Sequence, residues 1–458
     1  MAPPSASIHQ MLACLHYSKC AACHWNSPTL SRQACRFPRE TFRCTFLERF
    51  NITFLAAFGG SATCADMSDA TATSAGLRRL PRDSRVDALR GIALIMIFID
   101  HIPGNLLSQA TLRNFGFADA AELFVLLAGF ASMVAYGGSF AREGVLLGLR
   151  RVFLRCLRLY LFQAVMMLAV LVLVGAWLRY FGVEPASGAP FVHSGVNGLR
   201  HGLTLQAQPA SLNILPLYII LLALFPLIYG LIAISPILAL FASCALWTWV
   251  NLEPSINLTN WLDGQGWFFD PFAWQFLFVI GALGAVLLRR YDGNLPRPPW
   301  LRVIAWGYLG FALVAAAPWD TWGWSSFHPI VLDAPDKTVL APLRLLDVLA
   351  LAVLALSSIR FRILAELPAL RLLVVCGRNS LEVFALGTML AMISRLVFRT
   401  FGVTWVTQLL ANGIGLGLMI ALAVALEHMR RPVSSGPRRA HVDLRCARQN
   451  RWRHTSVV

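Results

Sequence analysis

Charged side chains are scarce in this sequence. They make up 14% of 458 residues against 57% hydrophobic ones, and mean hydropathy is +0.62. That balance excludes a soluble protein of several domains. Chemical signatures are missing as well. The chain has no GxxxxGK[ST] loop, no GxGxxG, no GxSxG elbow and no zinc-like Cys/His cluster in its apolar body. Nucleotide hydrolysis and metal chemistry are therefore unsupported, and no bound metal or cofactor is expected. No internal repeat is visible, which counts against an inverted-repeat transporter.

Cysteine is thin where a disulfide framework would need it. Six of the ten (Cys14, Cys20, Cys23, Cys35, Cys44, Cys64) lie in the first 66 residues, and Cys156, Cys244, Cys376 and Cys446 are scattered. Cys20, Cys23 and His24 have the spacing of c-type haem attachment. No helical pattern surrounds them, so haem is not expected. The same segment lacks the charged start, apolar core and cleavage site of a secretory leader. Residues 1–81 are expected to be a leader, disordered or partly a mis-assigned start, with Met67 as the alternative beginning. Residues 429–458 form a basic tail, expected to be cytoplasmic and solvated or in touch with anionic lipid.

What remains is a succession of apolar runs, most of them long enough to cross a bilayer core. Ten spans are predicted, at roughly 88–107, 119–137, 155–178, 213–233, 236–252, 272–288, 301–317, 342–358, 373–397 and 407–427. The fold class is all-α, a polytopic transmembrane helical bundle. The net charge of +16 would suggest nucleic acid in a soluble chain. Here the arginines gather in short loops, as the positive-inside rule expects, and no nucleic-acid partner is implied. Arg78, Arg79, Arg82 and Arg85 precede span one, and Arg430 and Arg431 follow span ten. With ten spans, these and the clusters between them fall on one side, the cytoplasm, so both termini are expected there. Arg395 and Arg399 are the main exceptions.

The first span, DALRGIALIMIFIDHIPGN, carries charges that a membrane helix should avoid. Arg90 and His101 are eleven positions apart, hence about 20° apart around a helix and roughly 16 Å along it. Asp87 lies one turn before Arg90, and Asp100 is displaced to the side. Ionisable groups at such depth are costly and face a bundle interior or a wet cavity. His101 is the only histidine within a predicted span. An imidazole titrates near neutrality and suits proton transfer, although a purely structural histidine satisfied by a neighbouring helix has the same appearance.

RGIALIMIFIDH (90–101) fits the R-x10-H pattern of the membrane acyltransferase-3 superfamily, and ELFVLLAGF (122–130) resembles its second-span signature. RVFLRCLRLYLFQ (151–163) resembles its basic start of span three. More specifically, ILPLYIILLALFP (214–226), GWFFDPFAWQFLFVIGA (266–282), DKTVLAPLRLLDVLAL (336–351) and GRNSLEVFALG (377–387) resemble OpgC-type proteins, succinyltransferases of osmoregulated periplasmic glucans. The resemblance covers about residues 82–428. It implies a multi-pass acyltransferase of the bacterial inner membrane, with succinyl-CoA as donor substrate and a periplasmic glucan as acceptor. Further partners would be the lipid bilayer and glucan-synthesis membrane proteins. The family has a histidine where Asp347 stands, so any part of that position in proton transfer is in doubt here.

On this reading His101 is the general base, and Arg90 holds an anionic group of the donor. Glu122 completes the catalytic set by pairing with Arg90 or orienting His101, although an acid opening a helix also suits the helix dipole. Asp119 reads as an N-cap. Arg151, Arg155 and Arg158 are donor-binding candidates, against a simple anchoring role. Trp267, Asp270, Trp274, Asp336 and Lys337 are acceptor-binding candidates, since aromatic rings stack on sugars, although they also anchor helices in headgroups. Trp319, Trp322 and Trp324 invite the same two readings. Glu382 in an apolar span calls for a partner such as arginine. Two other functions fit the charged stripe. One is a proton-coupled transporter using His101 and Glu122. The other is a scaffold in a glucan-synthesis assembly. Acylation of a different surface polysaccharide is a further alternative.

Overall fold

The computed structural model describes residues 83–183, 193–209, 211–291, 298–324, 327, 330, 332–358 and 367–430. The expectations for residues 1–81 and for the tail beyond Arg430 lie outside them. Among the described residues all regular structure is helical, apart from one isolated antiparallel bridge between Thr259 and Gly266.

The helices are α1 Ser84–Asp100, α2 Ala120–Arg142, α3 Val145–Phe181, α4 Gly195–Leu203, α5 Ile214–Ile234 and α6 Pro236–Leu252. They continue with α7 Pro271–Arg290, α8 Pro299–Ala316, α9 Pro342–Ser357, α10 Pro368–Arg378, α11 Ser380–Phe401 and α12 Trp405–Arg430. Seven of them are long and apolar enough to cross a membrane: α2, α3, α5, α7, α8, α11 and α12. The other three expected spans correspond to α1 and α6, of 17 residues each, and α9, of 16. The starts are written locally. Proline opens α6, α7, α8, α9 and α10, where its missing N–H costs nothing. Side-chain oxygens of Asp83, Asp119, Ser235 and Asp270 cap α1, α2, α6 and α7.

Three expected boundaries are corrected. Span one ends at Asp100, not 107, because Pro103 and Gly104 (φ +74°) turn the chain. Span three begins ten residues early, at Val145. At 37 residues α3 is about 55 Å long, well beyond a bilayer core of about 30 Å. Its basic first turns hold arginines, good helix formers whose stems can reach water. The ninth span, 373–397, is two helices. Asn379 (φ −106°, ψ 36°) breaks the chain between α10 and α11 and donates from Nδ2 to the carbonyls of Val375 and Ala423.

Burial follows the membrane setting. α3 buries one stripe that includes Val152, Leu159, Met166 and Val170, and α8 buries only Ala305 and Ala312. The crossing of α2 and α7 brings backbone against backbone from both sides. A Cβ on Gly129 would lie 1.9 Å from the Phe278 carbonyl oxygen, and one on Gly281 would lie 2.0 Å from that of Leu126. Small residues at such seams let membrane helices approach closely. Gly281→Val is expected to destabilise the bundle by on the order of 3 kcal/mol, because backbone rather than a side-chain tip must give way. Thermal unfolding of the detergent-extracted protein checks this. An unchanged midpoint would mean that α2 and α7 separate freely.

Candidate active site

His101 is the C-cap of α1 and keeps helical backbone angles (φ −84°, ψ −4°). Its Nδ1 lies 2.6 Å from the Ile97 carbonyl oxygen. A carbonyl only accepts, so the hydrogen bond assigns the proton of the neutral ring to Nδ1. Nε2 is then the basic nitrogen. The ring stands in the wall of a cavity of about 280 Å³, together with Asp100, Asp119, Lys337, Phe268 and Arg395. A narrow apolar crevice of about 10 Å³ between α1 and α11 also reaches His101, along Ile97, Phe98, Phe384 and Gly387.

The loop after His101 is pinned on both sides. Asn105 and Asn412 of α12 exchange amide hydrogen bonds at 2.9 Å in each direction. Asp100 accepts from the Thr111 hydroxyl at 2.6 Å. Asp347 of α9 is buried and accepts the Ala118 N–H at 2.7 Å, which fixes the turn into α2. That bond gives Asp347 a structural task where the family resemblance implied a histidine.

An ionic network closes the same end. Asp119 caps α2 in a capping box with Glu122 and pairs with Lys337. Arg344 of α9 meets Glu122 at 2.7 Å and Asp119 at 3.5 Å. Glu122 was expected to pair with Arg90 or to orient His101. Its Oε1 is instead engaged by Arg344 and its Oε2 by the Asp119 N–H at 2.9 Å. Lys337 also lies 5.8 Å from the Phe268 ring centroid and 5.5 Å from that of Phe269.

The expected aromatic platform is corrected too. Trp274 is fully buried, and its indole N–H donates to the carbonyls of Lys337 and Thr338. Trp267 is 4% exposed, so neither ring offers a face to a sugar. Asp270 is buried and caps α7 by accepting from Phe272, and burial pushes its carboxyl up to about 6. Asp336 accepts from the Thr338 N–H within its own turn. Accessible rings at this end include Phe268, 50% exposed, and the set Trp319, Trp322, Trp324, Phe327 and Phe115. Within that set Trp319 stacks edge-on against Phe327 at 4.9 Å, and Phe115 meets Trp322 at 5.6 Å.

The remaining candidates cluster at the opposite end of α1. Arg90 and Arg155 both lie within electrostatic reach of Tyr136, in the π turn Met133–Gly137 of α2. Arg151 pairs with Glu143 at 2.7 Å. Arg158 pairs with Glu382 at 2.8 Å, and Arg430 meets the same oxygen at 3.0 Å, so the arginine partner expected for Glu382 is there. Asp87 meets Arg378 at 3.5 Å. No metal-ligating cluster occurs among the described residues.

One cavity residue escaped the sequence reading. Arg395 of α11 donates from Nη2 to the His101 carbonyl at 2.9 Å and to the Ser211 hydroxyl at 3.3 Å. The signal was there, since Arg395 breaks the positive-inside pattern. The site thus has two stations on one helix, an imidazole facing a polar cavity and a guanidinium near a basic rim.

The family described as OpgC protein matches residues 82–431. The chain belongs to the OpgC family. The match spans the whole helical body from the cap of α1 to the end of α12, so both stations fall within the OpgC region. It agrees with the resemblance carried by residues 90–101 and 377–387, and it suggests a membrane transferase of the glucan-succinylating kind. No curated protein matches the chain.

Proposed function

We propose that this OpgC-family chain is a membrane O-acyltransferase that moves a succinyl group from cytoplasmic succinyl-CoA to hydroxyls of periplasmic glucans. The observation that carries the reading is His101, whose ring lines a cavity shared with charged side chains while its Nδ1 is held by Ile97 and Nε2 is left as the basic nitrogen. In the proposed step a sugar hydroxyl gives its proton to Nε2 as its oxygen attacks the thioester carbonyl. The carbon–sulfur bond then breaks, and the leaving thiolate takes the proton back from the imidazolium. Arg90 and Arg155, which both reach Tyr136, suit the phosphates of the donor, with Arg151 and Arg158 on the same helix as Arg155. The separation of roughly 16 Å between Arg90 and His101 suits an extended donor lying along α1.

This reading takes the bundle as ten spans in the bacterial inner membrane, with both termini cytoplasmic and the His101 cavity facing the periplasm. Trp324 and Phe327, 62% and 40% exposed, then offer rings to the acceptor where Trp267 and Trp274 cannot. The test is mass spectrometry of periplasmic glucans from cells with and without the protein. Succinyl-sized mass increments and added negative charge are expected only with it. Identical glucans in both would sink the glucan acceptor. Proton-linked uptake by vesicles would then favour a transporter using the His101 and Glu122 region.

A further inference from the structure

A succinyl group carries a second carboxylate, and a cavity that takes it out of water must supply a cation. Arg113, Lys337 and Arg395 line the cavity at His101, and Arg344 stands behind it through Asp119. Arg344 is engaged by Glu122 and Asp119. Lys337 is paired with Asp119 and lies close to two phenyl rings. Arg113 is exposed at the rim. Arg395 is half-buried, set in the cavity wall and tied to the His101 main chain at 2.9 Å.

Its setting is specific. Arg395 is one of two arginines in the half of α11 opposite the arginine-rich face, where the positive-inside rule disfavours cations. Ser211, which accepts from its Nη2, has φ +79°, a left-handed backbone that is uncommon outside glycine and gathers at functional sites. The reach also fits. The two carboxyl carbons of a four-carbon diacid are three C–C bonds apart, each about 1.5 Å. The His101 ring and Arg395 line the same cavity, so an acyl chain of that length lying in it shares its walls with both.

We propose that Arg395 reads the distal carboxylate of the acyl group and makes the site selective for dicarboxylic over neutral acyl chains. The inference rests on the reading of the chain as an acyltransferase acting at His101. Lysine would keep the charge but lose the planar fork that grips a carboxylate.

Succinyl-CoA and butyryl-CoA both carry four-carbon acyl chains and differ in the charge at the far end. The full chain in lipid nanodiscs, with glucan as acceptor, gives kcat/KM for each donor. The unaltered protein should prefer succinyl-CoA. Arg395→Gln should lower the succinyl-to-butyryl ratio by roughly 10- to 100-fold, the range of a lost charged hydrogen bond. Arg395→Lys should retain part of the preference. If Arg395 only supports the His101 turn, Arg395→Gln slows both donors alike, and an unchanged ratio overturns the proposal. Should that variant not accumulate, the unaltered protein is compared on succinyl-CoA and its methyl ester. Masking the charge should cost a similar factor, and equal use of the two would overturn the proposal. Failure of the acyltransferase reading looks different, because the unaltered protein then uses neither donor and the selectivity falls with it.

Discussion

Replacing His101 by asparagine is expected to lower the rate of acyl transfer by a factor of about 10² to 10⁴, the usual contribution of a positioned general base. Asparagine is the informative substitution. Its amide can still donate to the Ile97 carbonyl that holds Nδ1 at 2.6 Å, so the turn out of α1 keeps its bond. What disappears is the basic nitrogen in the cavity. Arg395 holds the His101 backbone rather than its ring, so that contact survives as well. The variant should therefore reach the membrane in normal amount and fail in chemistry. Single-turnover transfer in nanodiscs, with extraction yield beside it, separates the two quantities. A variant that keeps most of the rate would remove His101 from proton transfer and leave it a helix cap.

Glu122→Ala is expected to act on stability instead, by about 3–5 kcal/mol. Glu122 is fully buried, and its partner Arg344 has a side chain only 11% exposed. Deleting the carboxylate leaves a buried guanidinium short of its main counter-charge and also breaks the capping box of α2. The double variant Glu122→Met, Arg344→Met should regain much of the loss, because well-packed apolar residues can replace a buried pair. Thermal unfolding in detergent reads both. The opposite pattern, normal unfolding with abolished transfer, would return Glu122 to the chemistry.

Most helices were legible in the sequence, and the reasons are physical. A bilayer imposes a length and a polarity, and the run from 213 to 233 met both, giving α5 within one residue at each end. Boundaries failed where lipid did not decide, at the projecting start of α3, whose first turns are exposed, and at Asn379, whose buried amide bonds two carbonyls. His101 was legible because an imidazole inside an apolar run stands out. The pairing of Glu122 with Arg344 was not, since the two are 222 positions apart and no local period joins them. The tryptophans misled for a related reason. An aromatic residue that stacks on sugar and one that donates its N–H inside the bundle have the same letter and the same spacing. Trp274 was the second kind. Arg395 lay in plain view as a charge on the wrong side, and only the fold tied it to His101.

The surroundings of α1 carry a consequence for how the chain is made. Gly91 touches the backbone of Leu373, Gly377 touches that of Asp87, and the ring of Phe98 covers Gly415. Asn105 and its partner Asn412 are 307 positions apart. At 5–20 residues per second, the ribosome takes roughly 15–60 s to deliver that partner. The first helix synthesised is thus among the last to be enclosed. Through that interval the ionisable stripe of α1 sits without α10, α11 and α12, and insertion machinery or early neighbours such as α2 must shelter it. Release of the chain before α10 is complete would strand His101 on a helix with one side open to lipid.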